Sequence, residues 1–511
     1  MADALPTDPA QLQALLVAER AAHAATQSEL TRTALERDTE RAWRLALLKR
    51  YFGRSSEKLD PHQLELAIAA VDADRTVVTA PAPQPQPRAA STRRARRLED
   101  LPVVETIRLD LPAAEKLAPD GSALVQIREE ITDEVDYQPG KLIRRQFIRP
   151  VYASPSHQCA PRVAALPARV IPGGQVGAGL VAHVVLSKFV DHLPLYRQER
   201  MLERLGPSFT RQAMGQWIEQ AALLLQSVHT ALQDKIRRSG FQQMDETPIA
   251  LLDPERPGRA RDAWLWVSHA PTASTVCFEF HLTRGHAPPL AWLRDFSGIL
   301  QTDGFAAYET ALAALPPGQI VHLNCWAHAR RHLVAALESG DDRATPFLVQ
   351  IGQLYALEAE WRELDAITRA QQRGRRSTLV LAELNRAFHL AVADPAILSS
   401  SLLGKAVRYA LGRWARLEGY TAPGRGHVPV DTNPTENCLR PTKLGAKNWM
   451  FLGHPDAGER CAVLYSVLGT CKLLKVDPWA YLTWALPQLA AATNRTAANF
   501  TPHDFAAAPR G

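Results

Sequence analysis

The chain has 511 residues, 46% hydrophobic and 22% charged, with 59 Lys and Arg against 53 Asp and Glu, enough apolar material for about three or four domains, so a disordered tail protein is excluded. Six Cys, none in a CxxC pair, argue against a disulfide framework and a zinc ribbon, and fit a reducing compartment. The start MADALPTDPAQLQ lacks a basic n-region with an apolar h-region, and no stretch holds 18 uninterrupted apolar residues, so a cytoplasmic protein without membrane contact is expected; the net charge of +6 permits a nucleic-acid partner without requiring one.

From Pro9 to residue 50 no further Pro and no Gly occurs, and Leu12, Leu16, Leu30, Ala34 and Trp43 fall at roughly helical intervals, which predicts a long helix. His23 and Arg37 fall where a strict heptad wants apolar residues, leaving a coiled coil and a helix packed on its own chain both open. The helix ends in Arg41, Arg44, Lys49, Arg50, Arg54 and Lys58 beside Trp43, Tyr51 and Phe52, a surface suited to phosphate. TAPAPQPQPRAASTRRARR (79–97) reads as an extended linker, and the short alternating runs of 101–171, with turn signals at 119–121 and 139–140, as a small β-rich module. In LPLYRQERMLERLGPSFTRQAMGQWIEQA, a helix, a Gly206-Pro207 break, a Ser208 or Thr210 cap and a second helix through Trp217 follow helix-turn-helix grammar, with Arg211 and Gln212 leading the second helix.

From residue 241 the pattern changes to strands. GFQQMDETPIAL is read as a short strand ending at Asp245, DAWLWVSH and STVCFEFHL as two more joined around Pro271. A helix (PPLAWLRDF), a strand ending at Asp303, a helix (AAYETALAAL), a strand (QIVHLNC) and a helix (WAHARRHLVAAL) complete the order βββαβαβα. This is the strand order of the ribonuclease-H-like fold, in which the first and fourth strands are neighbours, so Asp245 and Asp303 can share a metal. Mg²⁺ takes oxygen ligands, and a two-metal clamp needs a further acid. The candidate is Glu436 in VPVDTNPTENCLRPTKLGAKNWMFLG, just inside a helix that opens at Pro434.

MDETP, LQTDGFAAY, CWAHARRH, DTNPTEN, RPTKLGAKNWMF and LYSVLGTCKLLKVDPWAYLTW, in order along most of the chain, resemble the transposases of the insertion-sequence 66 family, bacterial enzymes of the DDE class. The resemblance implies a multidomain α+β and α/β chain. Its expected parts are an N-terminal long, leucine-zipper-like helix (1–75), the linker (76–100), the β-rich module (101–172) and a helix-turn-helix region (173–240). A ribonuclease-H-like catalytic domain follows in two pieces (241–339 and 425–460) around an α-helical insertion (340–424), then a C-terminal helical element (461–511). The insertion is read either as a cover for one sheet edge or as a DNA-binding surface through Lys405, Arg408, Arg413 and Arg416. The family's module with two Cys pairs departs here: LAPDG (117–121) and YASPSHQC (152–159) stand in their places. Cys159 and His157 alone do not hold a structural Zn²⁺, so no zinc is expected.

The resemblance implies that Asp245, Asp303 and Glu436 are the catalytic acids and hold two Mg²⁺ (or Mn²⁺) ions for cleavage and strand transfer at transposon ends. Glu246, His328 and Asp431 are candidates to support them, each with an ordinary structural role as the alternative. Arg440, Lys443 and Lys447, spaced by three and four, form a cationic stripe for phosphate, to which Arg330 is added; Trp449 beyond it is a stacking or core aromatic. The expected partners are double-stranded DNA, further copies of the chain and small accessory proteins of the same element, at the bacterial nucleoid. The alternative is a decayed copy that binds DNA without cutting it.

Overall fold

In a computed structural model the described residues are 167–508 except 175, 207, 253–259 and 494–495, together with residues 140, 142, 143, 147, 151–152 and 162–163. The predicted N-terminal helix with its basic end, the linker and, apart from Tyr152, the two positions that replace the Cys pairs lie outside them. The chain divides into two units, residues 58–148 and the remainder, and every element below belongs to the second.

Strands β1 (Val151–Tyr152) and β2 (Arg162–Val163) form an antiparallel pair. Helices α1 (Ala178–Phe189), α2 (Leu195–Glu203), α3 (Arg211–Leu224) and α4 (Gln226–Arg237) follow. Gly206, at φ +115, ends α2, and the Thr210 side chain accepts from the Ala213 amide at 3.2 Å to start α3. Met214, Trp217, Ile218 and Ala221 are buried along one face of α3, at the helical period, while Arg211 and Gln212 at its start are exposed.

The sheet comprises β3 (Phe241–Leu252), β4 (Ala260–Ala270), β5 (Thr275–His281), β6 (Gly298–Thr302) and β7 (Ile320–Asn324), in the order β5-β4-β3-β6-β7. The first three are an antiparallel meander, and β6 and β7 join in parallel. Between them lie α5 (Ala287–Leu293) and α6 (Ala306–Ala313), and α7 (Trp326–Glu338) leaves β7. The result is a mixed α+β domain. The expectation that β3 ends at Asp245 is corrected: it runs on to Leu252, because residues past Gln243 keep their ladder with β4 after the pairing with β6 has stopped at Gln243↔Gln301. Asp245 therefore lies where β3 loses its parallel neighbour, and Asp303 is the first residue beyond β6.

Every regular element between residues 342 and 421 is a helix, the longer ones being α8 (Thr345–Glu360), α9 (Ala366–Gln372), α10 (Thr378–Ala393), α11 (Leu402–Gly412) and α12 (Trp414–Glu418). Leu354, Leu384, Phe388 and Val407 share a core with Leu323 and Trp326 of the β7 side. The chain returns through α13 (Asn433–Trp449), α14 (Pro455–Leu473), α15 (Pro478–Ala491) and α16 (Pro502–Ala507). At the opposite edge α14 covers β5, its Ser466 and Thr470 hydroxyls accepting the Phe278 and Val276 amides at 2.7 and 3.2 Å. That pairing removes free donors from an edge strand. Among the described residues no helix is long and apolar enough to cross a membrane.

Candidate active site

Alternation along β3 sends its side chains to two faces. Gln242 and Glu246 face α5 and α6, where Trp292 Nε1 and the Tyr308 hydroxyl donate to them at 2.9 and 2.8 Å. Gln243 and Asp245 take the other face, toward α13. Gln243 Nε2 donates to Gln301 Oε1 at 2.7 Å and to the Asp431 carbonyl at 2.9 Å. Its Oε1 accepts from the Thr435 hydroxyl at 2.6 Å, which also meets His269 Nδ1 at 3.1 Å, and Gln301 Nε2 donates to the Pro429 carbonyl at 2.9 Å. This buried network fastens the first turn of α13, which carries Glu436, to the strands that carry the two aspartates.

Asp303 accepts from the Phe305 amide at 2.8 Å, and its own carbonyl accepts from the Tyr409 hydroxyl of α11 at 2.5 Å. Arg413 donates to the Gly304 carbonyl at 3.0 Å. Gly304 sits at φ +86, and a Cβ there would lie 2.6 Å from Arg413 Nε, so this position requires glycine. The insertion thus buttresses the Asp303 loop. Of its four cations, Lys405 and Arg408 are exposed. Arg416 instead donates to Glu309 at 2.6 Å and Arg413 is spent on Gly304, which leaves those two committed inside the chain.

Burial, followed by the charge of Glu246 and then of Asp303 and Glu436, pushes the Asp245 carboxyl up to about 8. Glu246 is also raised, by burial and the charge of Asp303, but its carboxylate is occupied: Arg284 donates twice to Oε1 at 2.9 and 3.0 Å and Tyr308 to Oε2. Glu246 is thereby a buried anchor between the sheet and α6. Asp431 caps α13, its carboxylate accepting from the Asn433 amide at 3.0 Å and side chain at 2.6 Å. Glu436 faces α7, where Arg331 donates to it at 3.1 Å and His328 Nε2 stands at 3.6 Å. Burial and the neighbouring Arg331 lower the His328 pKa. Cys325 is buried and accepts from the Thr432 amide at 3.2 Å, which ties the start of α7 to the start of α13.

Arg330, a candidate from the sequence, is exposed, and it is the adjacent Arg331 that touches Glu436. Arg284, Tyr308, Gln243, Thr435 and Tyr409 carry no signal in the sequence, because their roles depend on which elements meet. Arg440, Lys443 and Lys447 are exposed, and none makes an ion pair with another described residue. The donor chemistry suits a hard cation, since burial, the charge of Glu246 and then the charges of Asp303 and Glu436 all raise the Asp245 carboxyl. As they are placed, no three His, Cys, Asp or Glu side chains among the described residues enclose an ion, and Glu436 is turned to Arg331.

Comparison with known proteins places this α+β chain among the transposases. Residues 173–460, more than half its length, match the family model described as "Transposase IS66 family", and residues 44–106 match "Transposase C of IS166 homeodomain". The chain belongs to the IS66 family of transposases. It is 32% identical over 378 residues to the uncharacterized protein y4jD of Sinorhizobium fredii, covering 72% of this chain and 73% of that one. A second protein of that organism, the uncharacterized protein y4qI, is 32% identical over 382 residues, covering 72% and 70%. Family membership makes DNA the partner to consider.

Proposed function

We propose that this transposase is a metal-dependent DDE enzyme that cleaves the ends of its insertion sequence and transfers them to target DNA, on a ribonuclease-H-like core. The observation that supports the reading is the upward shift of the Asp245 carboxyl to about 8, to which burial, the charge of Glu246 and then the charges of Asp303 and Glu436 contribute. These three would hold Mg²⁺ or Mn²⁺. Bound ions of that kind activate water as a nucleophile and neutralise charge on the departing 3′ oxygen. The chain's own residues do the rest. The Gln243–Thr435 network holds the Glu436 turn against the sheet, and Tyr409 and Arg413 hold the Asp303 loop. Arg331 and His328 hold Glu436 and stand where a strand phosphate would enter. Arg440, Lys443 and Lys447 track the phosphate backbone, and Arg211 and Gln212 contact DNA from the exposed start of α3. Pairing two transposon ends calls for at least a dimer. The site of action is the cytoplasm, at the nucleoid, with small accessory proteins of the element as further partners and no zinc.

A second reading, a copy that binds DNA without cutting it, draws support from the Glu436–Arg331 ion pair, which occupies the third acid. A nicking assay on the element's own ends with Mg²⁺, comparing the wild type with Asp303→Asn, separates the two. Cleavage by the wild type alone is expected. Equal nicking by both proteins, or none by either while binding persists, would sink the enzymatic reading.

A further inference from the structure

Of the three proposed acids, only Glu436 is paired with a cation among the described residues, and that cation is Arg331 of α7. The guanidinium donates to Glu436 Oε1 at 3.1 Å, and His328 Nε2 stands 3.6 Å from the same oxygen. The Arg331 side chain is 60% exposed and that of Glu436 32%. A pair this open to water, held by one hydrogen bond, contributes little to folding and exchanges readily. Glu246 is held otherwise: its side chain is buried and Arg284 donates to it twice.

What fixes Glu436 is its backbone. Its amide donates to the Thr432 carbonyl at 3.0 Å, the neighbouring Thr435 is fully buried and bonded to Gln243 of β3, and Asp431 caps the helix start. Turning the carboxylate away from Arg331 therefore takes rotation about side-chain bonds and no shift of α13. The other acids are close by. Asp245 feels the charge of Glu436, and His328 feels those of Asp303 and Glu436 together. Yet no three His, Cys, Asp or Glu side chains among the described residues enclose an ion as they stand. Arg331, for its part, is open to a second partner. A strand seated at the acids brings phosphates to this surface, and a phosphate offers the planar guanidinium two oxygens where Glu436 accepts one bond.

We propose that Arg331 is a positioning residue that withholds the third acid until DNA is bound. In the free chain it keeps the Glu436 carboxylate turned to α7, and the two aspartates alone hold a divalent cation weakly. A strand phosphate takes the guanidinium, and the released carboxylate turns to Asp245 and Asp303 to complete the cation site. The proposal rests on the metal-dependent reading above and adds an order of events, DNA before full metal affinity. It also accounts for the Glu436–Arg331 pair without a decayed site.

The test is Mn²⁺ binding by the full-length chain, read from the electron paramagnetic resonance of the free ion. It is run with and without a duplex of the element's end, and the ions held by the duplex alone are subtracted. The wild type should bind Mn²⁺ about tenfold more tightly with the duplex than without it. Arg331→Gln should show the tighter affinity without DNA and gain little when DNA is added, with a melting temperature close to that of the wild type. Glu436→Gln should stay at the weaker affinity throughout. Adding Arg331→Gln to Glu436→Gln should then change nothing, which separates release of the carboxylate from the mere removal of a positive charge. An equal gain from Arg331→Gln in both backgrounds would overturn the proposal, as would an Arg331→Gln chain that matches the wild type without DNA. Scanning the duplex with single neutral methylphosphonates should find a linkage near the cleaved bond whose neutralisation abolishes the tightening in the wild type. If no linkage does so, exchange onto a phosphate is overturned. Mn²⁺ binding indifferent to both Asp303→Asn and Glu436→Gln, with and without DNA, would overturn the metal-dependent reading as well.

Discussion

Asp245 has the most perturbed carboxyl of the three acids, and its neighbours explain why. Arg284 and Tyr308 serve Glu246 on the opposite face of β3, and Arg331 serves Glu436, so no cation among the described residues compensates Asp245. With a folded pKa near 8 against 3.8 for the free side chain, its neutral form is the one that folding favours. Its contribution is complete below the unfolded pKa and is lost as pH rises through the folded one, at up to about 1.4 kcal/mol per pH unit in between. Asp245→Asn carries the neutral shape at every pH. The variant should match the wild type in melting temperature near pH 4, exceed it near pH 8 in chelator, and lose cleavage. Added Mg²⁺ should raise the melting temperature of the wild type at pH 8 and leave that of the variant unmoved. Thermal scans at the two pH values check this, and a wild type as stable as the variant at pH 8 in chelator would contradict it. The three proposed acids are chosen by motif, each in a run of characteristic neighbours. Arg331 could not be chosen so, since it and Arg330 are adjacent on one helix and only the docking angle of α7 decides which of them reaches Glu436.

At the scale of elements, the sheet and α13 are held in register by side chains that look unremarkable in the sequence. Thr435 is fully buried, and its hydroxyl joins Gln243 to His269, so strands β3 and β4 and helix α13 meet at one oxygen. Thr435→Val keeps the volume but leaves Gln243 Oε1 and His269 Nδ1 buried without that partner, at a cost of about 1–3 kcal/mol. Cleavage should fall further than that loss accounts for at temperatures where the variant is fully folded, because the turn carrying Glu436 loses its tie to the sheet. Thr435→Ser, which restores the hydroxyl, should recover most of the rate. Melting curves and single-turnover nicking measure the two effects, and a Thr435→Val enzyme with wild-type turnover would show that the network serves stability alone. The strand order was legible because β-branched and aromatic runs alternate with helical ones. The length of β3 was not, since the acidic residues at 245 and 246 read as the close of a strand, and only the antiparallel ladder with β4 carries them onward to Leu252.

For the whole molecule, the excess of basic over acidic residues is small, and what matters is how many cations remain uncommitted. Arg284, Arg331, Arg373, Arg413 and Arg416 are all taken up by partners within the chain. The sequence could not separate these from free cations, because pairing depends on contacts between residues as distant as Arg331 and Glu436. It is why a DNA-binding role for Arg413 and Arg416 stayed open beside an edge-covering one in the sequence, while in the structure both are internal ties. By contrast, Arg440, Lys443 and Lys447 are exposed along one helix that starts at the acids, and no carboxylate among the described residues pairs with them. Each free cation that meets a phosphate releases condensed counterions and adds about 0.9 to the salt slope of duplex binding. Replacing all three by Ala should therefore lower that slope by about 2.7 and weaken binding more at low salt than at high salt, with little change in melting temperature, since surface charges of this kind contribute little to folding. Replacing the committed pair Arg413 and Arg416 should do the reverse, lowering the melting temperature and leaving the salt slope alone. Anisotropy titrations at several salt concentrations on both variants decide the matter. A slope that falls with the committed pair and not with the exposed three would mean that DNA runs over the insertion and not along α13.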